Sequence, residues 1–103
     1  MLMYYISHPY SNKPENRDKV EAIIRRKVAE DSLNVYISPI HAFGYLYNDV
    51  EYWHGMDMCL ELLRRCDVMI LCPGWELSAG CRAERNYAEG HGIPILTQYE
   101  TQL

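Results

Sequence analysis

No stretch of this 103-residue chain approaches the ~20 consecutive apolar residues that a membrane-spanning helix needs, so no membrane partner is expected. Met1 to Ser7 lacks both the basic start and the length of a secretory leader. Basic side chains are in deficit, ten Lys and Arg against fourteen Asp and Glu, giving a net charge of −4. That balance argues against a nucleic-acid polymer as main partner but leaves room for a single nucleotide or nucleoside. Cys59, Cys66, Cys72 and Cys81 include no C-x-x-C pair. The spacing therefore argues against zinc and suits four reduced thiols in a cytoplasmic protein. His8, His41, His54 and His91 show no metal spacing either, so neither a metal nor a cofactor is implied. Linkers, internal repeats and low-complexity segments are missing, and the length suits one domain, residues 1–103, with a single core.

What the chain does contain is an alternation of β-type and helical patterns. Leu2 to Ser7 is rich in strand formers, and after a polar loop Pro14 opens an amphipathic pattern in which Val20, Ile23, Ile24, Lys27 and Val28 recur at helical spacing. Asn34 to Ser38 reads as a short second strand closed by Pro39. Ile40 to Val50 has aromatics without clean periodicity and reads as a loop with room for a helical turn. Glu51 to about Cys66 is a second helix, Val68 to Cys72 a buried strand, Ala79 to Glu89 a third helix, and Ile93 to Thr97 a last strand, placed at a sheet edge by Pro94. This order predicts a small α/β fold: a doubly wound, flavodoxin- or Rossmann-like parallel sheet of about four strands with helices on both faces. Ligands of such sheets bind beyond the strands' carboxyl ends, where Ser7 to Tyr10, the Ser38-Pro39 loop and Pro73 to Glu84 should meet.

The stretch Cys72 to Glu84 runs from a strand through Pro73-Gly74 into a helix start. The first helical N–H groups lack partners and carry partial positive charge, which makes a place for an anion. Ser78 can add a hydroxyl while also serving as N-cap, Gly80 lets a ligand approach the backbone, and Trp75 offers a flat apolar face. Glu84 has the small apolar residues Cys81 and Ala88 at helical spacing, so it stands beside the packed stripe. Spacing alone leaves it open between a nucleophile and a solvated helix glutamate. Tyr5 alone reads as a core residue, Asp67 as turn or capping chemistry, and Asp57 with Glu61 as a solvated acidic face. Nine tyrosines and two tryptophans exceed what so small a core readily hides. Phe43 to Tyr47 and Tyr52-Trp53 are accordingly the expected contact regions of a homodimer or higher homo-oligomer.

Tyr5-Ile-Ser-His-Pro-Tyr10, the Cys66-Asp67 strand junction and Pro73-Gly-Trp-Glu-x-Ser78-x-Gly80-x-x-x-Glu84 together resemble the nucleoside 2-deoxyribosyltransferase-like superfamily, above all its small bacterial and phage members. The resemblance covers nearly the whole chain. It implies transfer of deoxyribose between bases, or hydrolysis of the N-glycosidic bond, with Glu84 attacking C1′ of the sugar and the Tyr5 hydroxyl lying against that carboxylate. It also implies contact of Ser78 and its loop with a 5′-phosphate, a structural Asp67, and pockets completed by a neighbouring subunit; Ser7 and His8 are expected ligand contacts from their place in the crevice. The alternative is a non-catalytic nucleotide-binding module. One position departs from the pattern: where relatives carry an aspartate about two helical turns before Asp67, this chain has Cys59. Asp57 and Glu61 lie two residues to either side, rotated about the helix by roughly 200°. His8-Pro9 also stands where active relatives often have small residues.

Overall fold

The computed structural model describes residues 1–100; the last three residues of the expected 1–103 domain lie outside the described residues. Four strands, β1 (Met3–Ser7), β2 (Val35–Ile37), β3 (Val68–Leu71) and β4 (Ile95–Thr97), form one all-parallel sheet in the order β2-β1-β3-β4. The helices are α1 (Pro14–Glu30), α2 (Pro39–Phe43), α3 (Tyr52–Arg64) and α4 (Ala79–Gly90), with 3₁₀ turns at Gly44–Leu46 and Trp75–Leu77. The doubly wound α/β architecture expected from the sequence is present. The stretch read as an aromatic loop holds α2 and a 3₁₀ turn: Ser38 caps α2, its Oγ accepting from the amides of Ile40 and His41. Among the described residues no helix is long and apolar enough to cross a membrane.

The alternation of side chains along a strand decides what each face meets. Tyr4, Ile6, Val68, Ile70 and Cys72 point to the face covered by Val20 and Ile23 of α1. Tyr5 and Met69 point the other way, onto Leu63 of α3 and Ala88 of α4. Parallel strands covered on both faces read as continuous apolar runs, which is why Val68 to Cys72 carries no polar residue. Tyr5 pairs with Met69 and Ser7 with Leu71 in the parallel register, so Ser7 shares the face of Tyr5, towards α4. The short strands β2 and β4 form the edges. Pro94 immediately precedes β4, where its carbonyl accepts from Met69. Asp67 ties the base of the sheet together, its carboxylate accepting from the Met3 amide at 2.8 Å while its own amide donates to the Met3 carbonyl.

The inner face of α1 differs from its sequence reading at one turn. Lys27 is buried and Val28 is half exposed. The aliphatic stem of Lys27 packs inward, and its Nζ donates to the backbone carbonyl of Glu100 in the segment after β4. Gly74 is the turn's obligatory glycine, with φ of +92° where the chain leaves β3 for the 3₁₀ turn. Ile70, buried in a central strand, and the exposed Leu33 give opposite expectations for truncation. Ile70→Ala should cost ~2–5 kcal/mol of unfolding free energy and Leu33→Ala under ~0.5 kcal/mol, read from urea denaturation midpoints.

Candidate functional site

Sheet order places the reversal in winding direction between β1 and β3, so the loops after Ser7 and after Leu71 open a crevice there. α4 starts beside it. Ser78 is the N-cap, its Oγ accepting from the Cys81 amide, while the amides of Ala79 and Gly80 have no partner within the described residues. The stripe Cys81, Glu84 and Ala88 of α4 turns to the sheet and is buried. Glu84 is therefore carried onto the face of β1 from which Tyr5 and Ser7 project.

Those three residues meet. The Tyr5 hydroxyl donates a short hydrogen bond to Glu84 Oε2, and Ser7 Oγ donates to Oε1 at 2.7 Å. Glu84 is only 5% exposed and both donors are fully buried. Burial pushes the Glu84 carboxyl up to about 7, against the opposing pull of the Tyr5 and Ser7 hydrogen bonds. Tyr5 is raised well above its ordinary value, first by burial and then by the Glu84 charge beside it. Cys59 of α3 closes the group from the other side. Its thiol is pushed up to about 12, by burial and then by Glu84, and so stays neutral near pH 7.

Glu84 and Cys59 form part of the wall of a cavity of about 420 Å³. His8, Ser78, Gly80 and Cys81 line it as well, together with the aromatic rings of Tyr10, Phe43, Tyr47 and Tyr52. Tyr10 and Tyr47 meet edge to face with ring centroids 5.6 Å apart. Gly44 permits that packing, because a Cβ there would stand 3.1 Å from the Tyr10 hydroxyl. Among the described residues no lysine or arginine lines this cavity; its carboxylate members are Glu84 and Glu51. His8 is half-buried, with Nδ1 2.7 Å from the Pro9 carbonyl. Burial lowers its pKa, as does the Lys19 charge, while the Pro9 carbonyl acts in the opposite direction.

Sequence reasoning and structure part at three places. Ser7, expected to touch a ligand, is sealed behind Glu84, where its hydroxyl proton is given to the carboxylate. Trp75 does not line the cavity: the face expected to meet a ligand is covered by the Arg85 guanidinium, 5.0 Å from the ring centroid. The aromatic wall was missed as a site. Its only sequence signal was a cluster of aromatics following the β2 carboxyl end, where a ligand crevice was already expected. Gly80, expected to let a ligand approach the backbone, lines the cavity, although a Cβ there would make only ordinary contact, 3.6 Å from Met56 Sδ. Asp57 and Glu61 line a separate depression on the outside of α3 with Phe43, His54 and Arg65. Glu61 is held there by Arg64 and Arg65, whose hydrogen bonds bring its carboxyl down to about 2.

A doubly wound parallel sheet with a buried carboxylate at its winding reversal is the class that fold and site define. Residues 2–97 match the family model of a domain of unknown function, DUF4406, and the chain belongs to that family. The solved structure of a 2-desoxiribosyltransferase from Leishmania mexicana is similar, with a TM-score of 0.67 and 21% sequence identity over 94% of this chain. The match covers 63% of that enzyme's chain, so this protein spans under two thirds of its length. The likeness establishes the fold, the one the sequence resemblance implied. No curated protein matches the chain.

The environment of Glu84 has a thermodynamic consequence. Its carboxyl is raised in the folded protein to about 7 from about 4.5, so between those values the native state keeps a proton that the unfolded chain has lost. The resulting stabilisation is fully present below about pH 4 and declines as pH rises through 7, by on the order of 3 kcal/mol in all. Glu84→Gln should abolish this component. The difference in urea unfolding free energy between wild type and Glu84→Gln should therefore change between pH 5 and pH 7.5; a constant difference would contradict the buried, raised carboxyl.

Proposed function

We propose that the protein cleaves or transfers the N-glycosidic bond of a 2′-deoxynucleoside or deoxynucleotide, with Glu84 as the nucleophile. The observation that carries this reading is the Glu84 carboxylate, buried in the wall of an aromatic-lined cavity and held on both oxygens by Tyr5 and Ser7. Two donors fix its orientation while each oxygen keeps a further lone pair. With its carboxyl at about 7, roughly half of it is ionised near neutrality, and a carboxylate stripped of water is a stronger nucleophile than a hydrated one. An Oε of Glu84 attacks C1′, the C1′–N bond breaks towards the base, and the glycosyl-enzyme is resolved by water or by a second base.

The other cavity residues suit the parts of such a ligand. The rings of Tyr10, Phe43, Tyr47 and Tyr52 would stack on the base. Ser78 keeps its hydroxyl proton free, and with the Ala79 and Gly80 amides it would receive a sugar hydroxyl or a 5′-phosphate. Similarity in fold to the Leishmania mexicana 2-desoxiribosyltransferase agrees with a nucleoside-related role. Cys59 supports a second reading, a binding module without chemistry, because it leaves a thiol where relatives place a carboxylate.

Incubation with the four 2′-deoxynucleosides and their 5′-monophosphates, followed by chromatography for free base, separates the two. Glu84→Gln keeps the side-chain volume and removes the attacking charge. Base release should fall by roughly 10³-fold or more while binding, measured by calorimetry, persists. Binding by wild type without any base release would establish the module. We further propose that the chain self-associates through the exposed aromatics Tyr45, Tyr52 and Trp53. Light scattering at high micromolar concentration should give at least a dimer mass, and Trp53→Glu should return it to monomer; a wild-type monomer would refute the proposal.

A further inference from the structure

A retaining reaction at Glu84 needs a base to activate the water that releases the sugar, and the position where relatives place a second carboxylate holds the neutral Cys59. We propose that His8 fills that need as the general base of the second half-reaction. This rests on the reading of Glu84 as nucleophile, but its own warrant is local. Among the described residues His8 is the only imidazole lining the cavity, and it directly follows Ser7, the residue anchoring Glu84 Oε1. Its ring is held in one orientation and one tautomer: the Pro9 carbonyl can only accept, so the nitrogen 2.7 Å from it, Nδ1, carries the proton. Nε2 is then the nitrogen with the free lone pair, and it has no protein partner among the described residues. Because no buried side-chain nitrogen or oxygen among the described residues is left without a partner, Nε2 must be open to water. The charges around it are Lys19 on α1 and, in the cavity, Glu51 and Glu84. Burial and Lys19 both disfavour the imidazolium, which keeps the ring in its proton-accepting form near neutrality.

The steps balance as follows. In the first half, Glu84 Oε bonds to C1′, the C1′–N pair leaves with the base, and the base takes a proton from solvent. In the second, water oxygen bonds to C1′ as His8 Nε2 takes the water proton. The C1′–Oε pair returns to Glu84, and His8 then releases its proton to solvent. Glu51 lines the same cavity, but it is exposed and no hydrogen bond orients it.

The discriminating variant is His8→Asn, whose amide nitrogen can replace Nδ1 against the Pro9 carbonyl while nothing replaces Nε2; His8→Gln, lacking that anchor, serves as the second variant should the first misfold. With the best substrate of the deoxynucleoside and deoxynucleotide panel, His8→Asn should still release about one base per chain in a burst. Steady turnover should then fall by roughly 10²–10⁴-fold. Intact-mass spectrometry should find the deoxyribosyl adduct, mapped to Glu84. Sodium azide, which attacks without losing a proton, should restore turnover in the variant and yield the deoxyribosyl azide. If wild type forms a Glu84 adduct yet His8→Asn turns over normally, or if Glu51→Gln shows the azide-rescued defect instead, the assignment to His8 is overturned and the nucleophile stands. If wild type releases no base, both fall together.

Discussion

A carboxylate cannot be left unpaired in a protein interior, and much of this structure answers that constraint at Glu84. Moving an ionised group out of water costs several kcal/mol unless hydrogen bonds or charges replace the solvent. No cation lines the cavity, so the compensation comes from two neutral hydroxyls, Tyr5 and Ser7. Neutral donors compensate only in part, and the carboxyl accordingly rises to about 7. The arrangement constrains the rest of the fold. Tyr5 and Ser7 must have the same parity on β1, β1 must lie next to β3, and α4 must begin so that Glu84, the sixth residue after the Ser78 cap, falls opposite them. A register slip of one residue in β1 would turn both hydroxyls to the α1 face and strand the charge.

Most of the scaffold was legible in the sequence because each element obeys a single period. The apolar run Val68 to Cys72 and the helical stripe Cys81, Glu84, Ala88 could be assigned without knowing their neighbours. The place of Glu84 beside a packed stripe was visible, but whether that stripe faced core or crevice was not, since burial depends on what the sheet brings opposite. Ser7 shows the limit most clearly. Its parity with Tyr5 was readable, yet its role as an anchor behind the carboxylate depends on a partner 77 residues away. On α1 the stripe read from the sequence holds both Lys27 and Val28, and only Lys27 is buried. Its neighbour Val28 is the better core residue by composition, but the segment after β4 offers the Lys27 ammonium a carbonyl, so the long stem goes in.

The cavity's aromatic wall resisted sequence reading for a physical reason as well. Residues 40–50 change from α-helix to 3₁₀ turn at Gly44, so their side chains follow no single angular repeat. Phe43 and Tyr47 line the cavity while Tyr45 between them is exposed. Aromatic content is visible in the composition, but composition cannot distribute it between a cavity and an outer surface. Here Tyr10 and Phe43 line the cavity, while Tyr45 and Trp53 are exposed and outside its lining.

Cys59 is best understood through its effect on Glu84. A second carboxylate on that side would add like-charge repulsion to a group already raised by burial, and near neutrality one of the two would hold a proton. The thiol, pushed up to about 12, contributes no charge near pH 7. Glu84 is then balanced only between burial and its two hydroxyl donors, and a large share of it stays ionised at neutral pH. On the reading proposed above, Cys59 therefore leaves the nucleophile without a second charge beside it and supplies no carboxylate to manage protons for the leaving base or the incoming water. On the same reading, that work passes to a group whose neutral form is favoured and which forms no hydrogen bond to Glu84. In this cavity the imidazole of His8, oriented by the Pro9 carbonyl, has those properties.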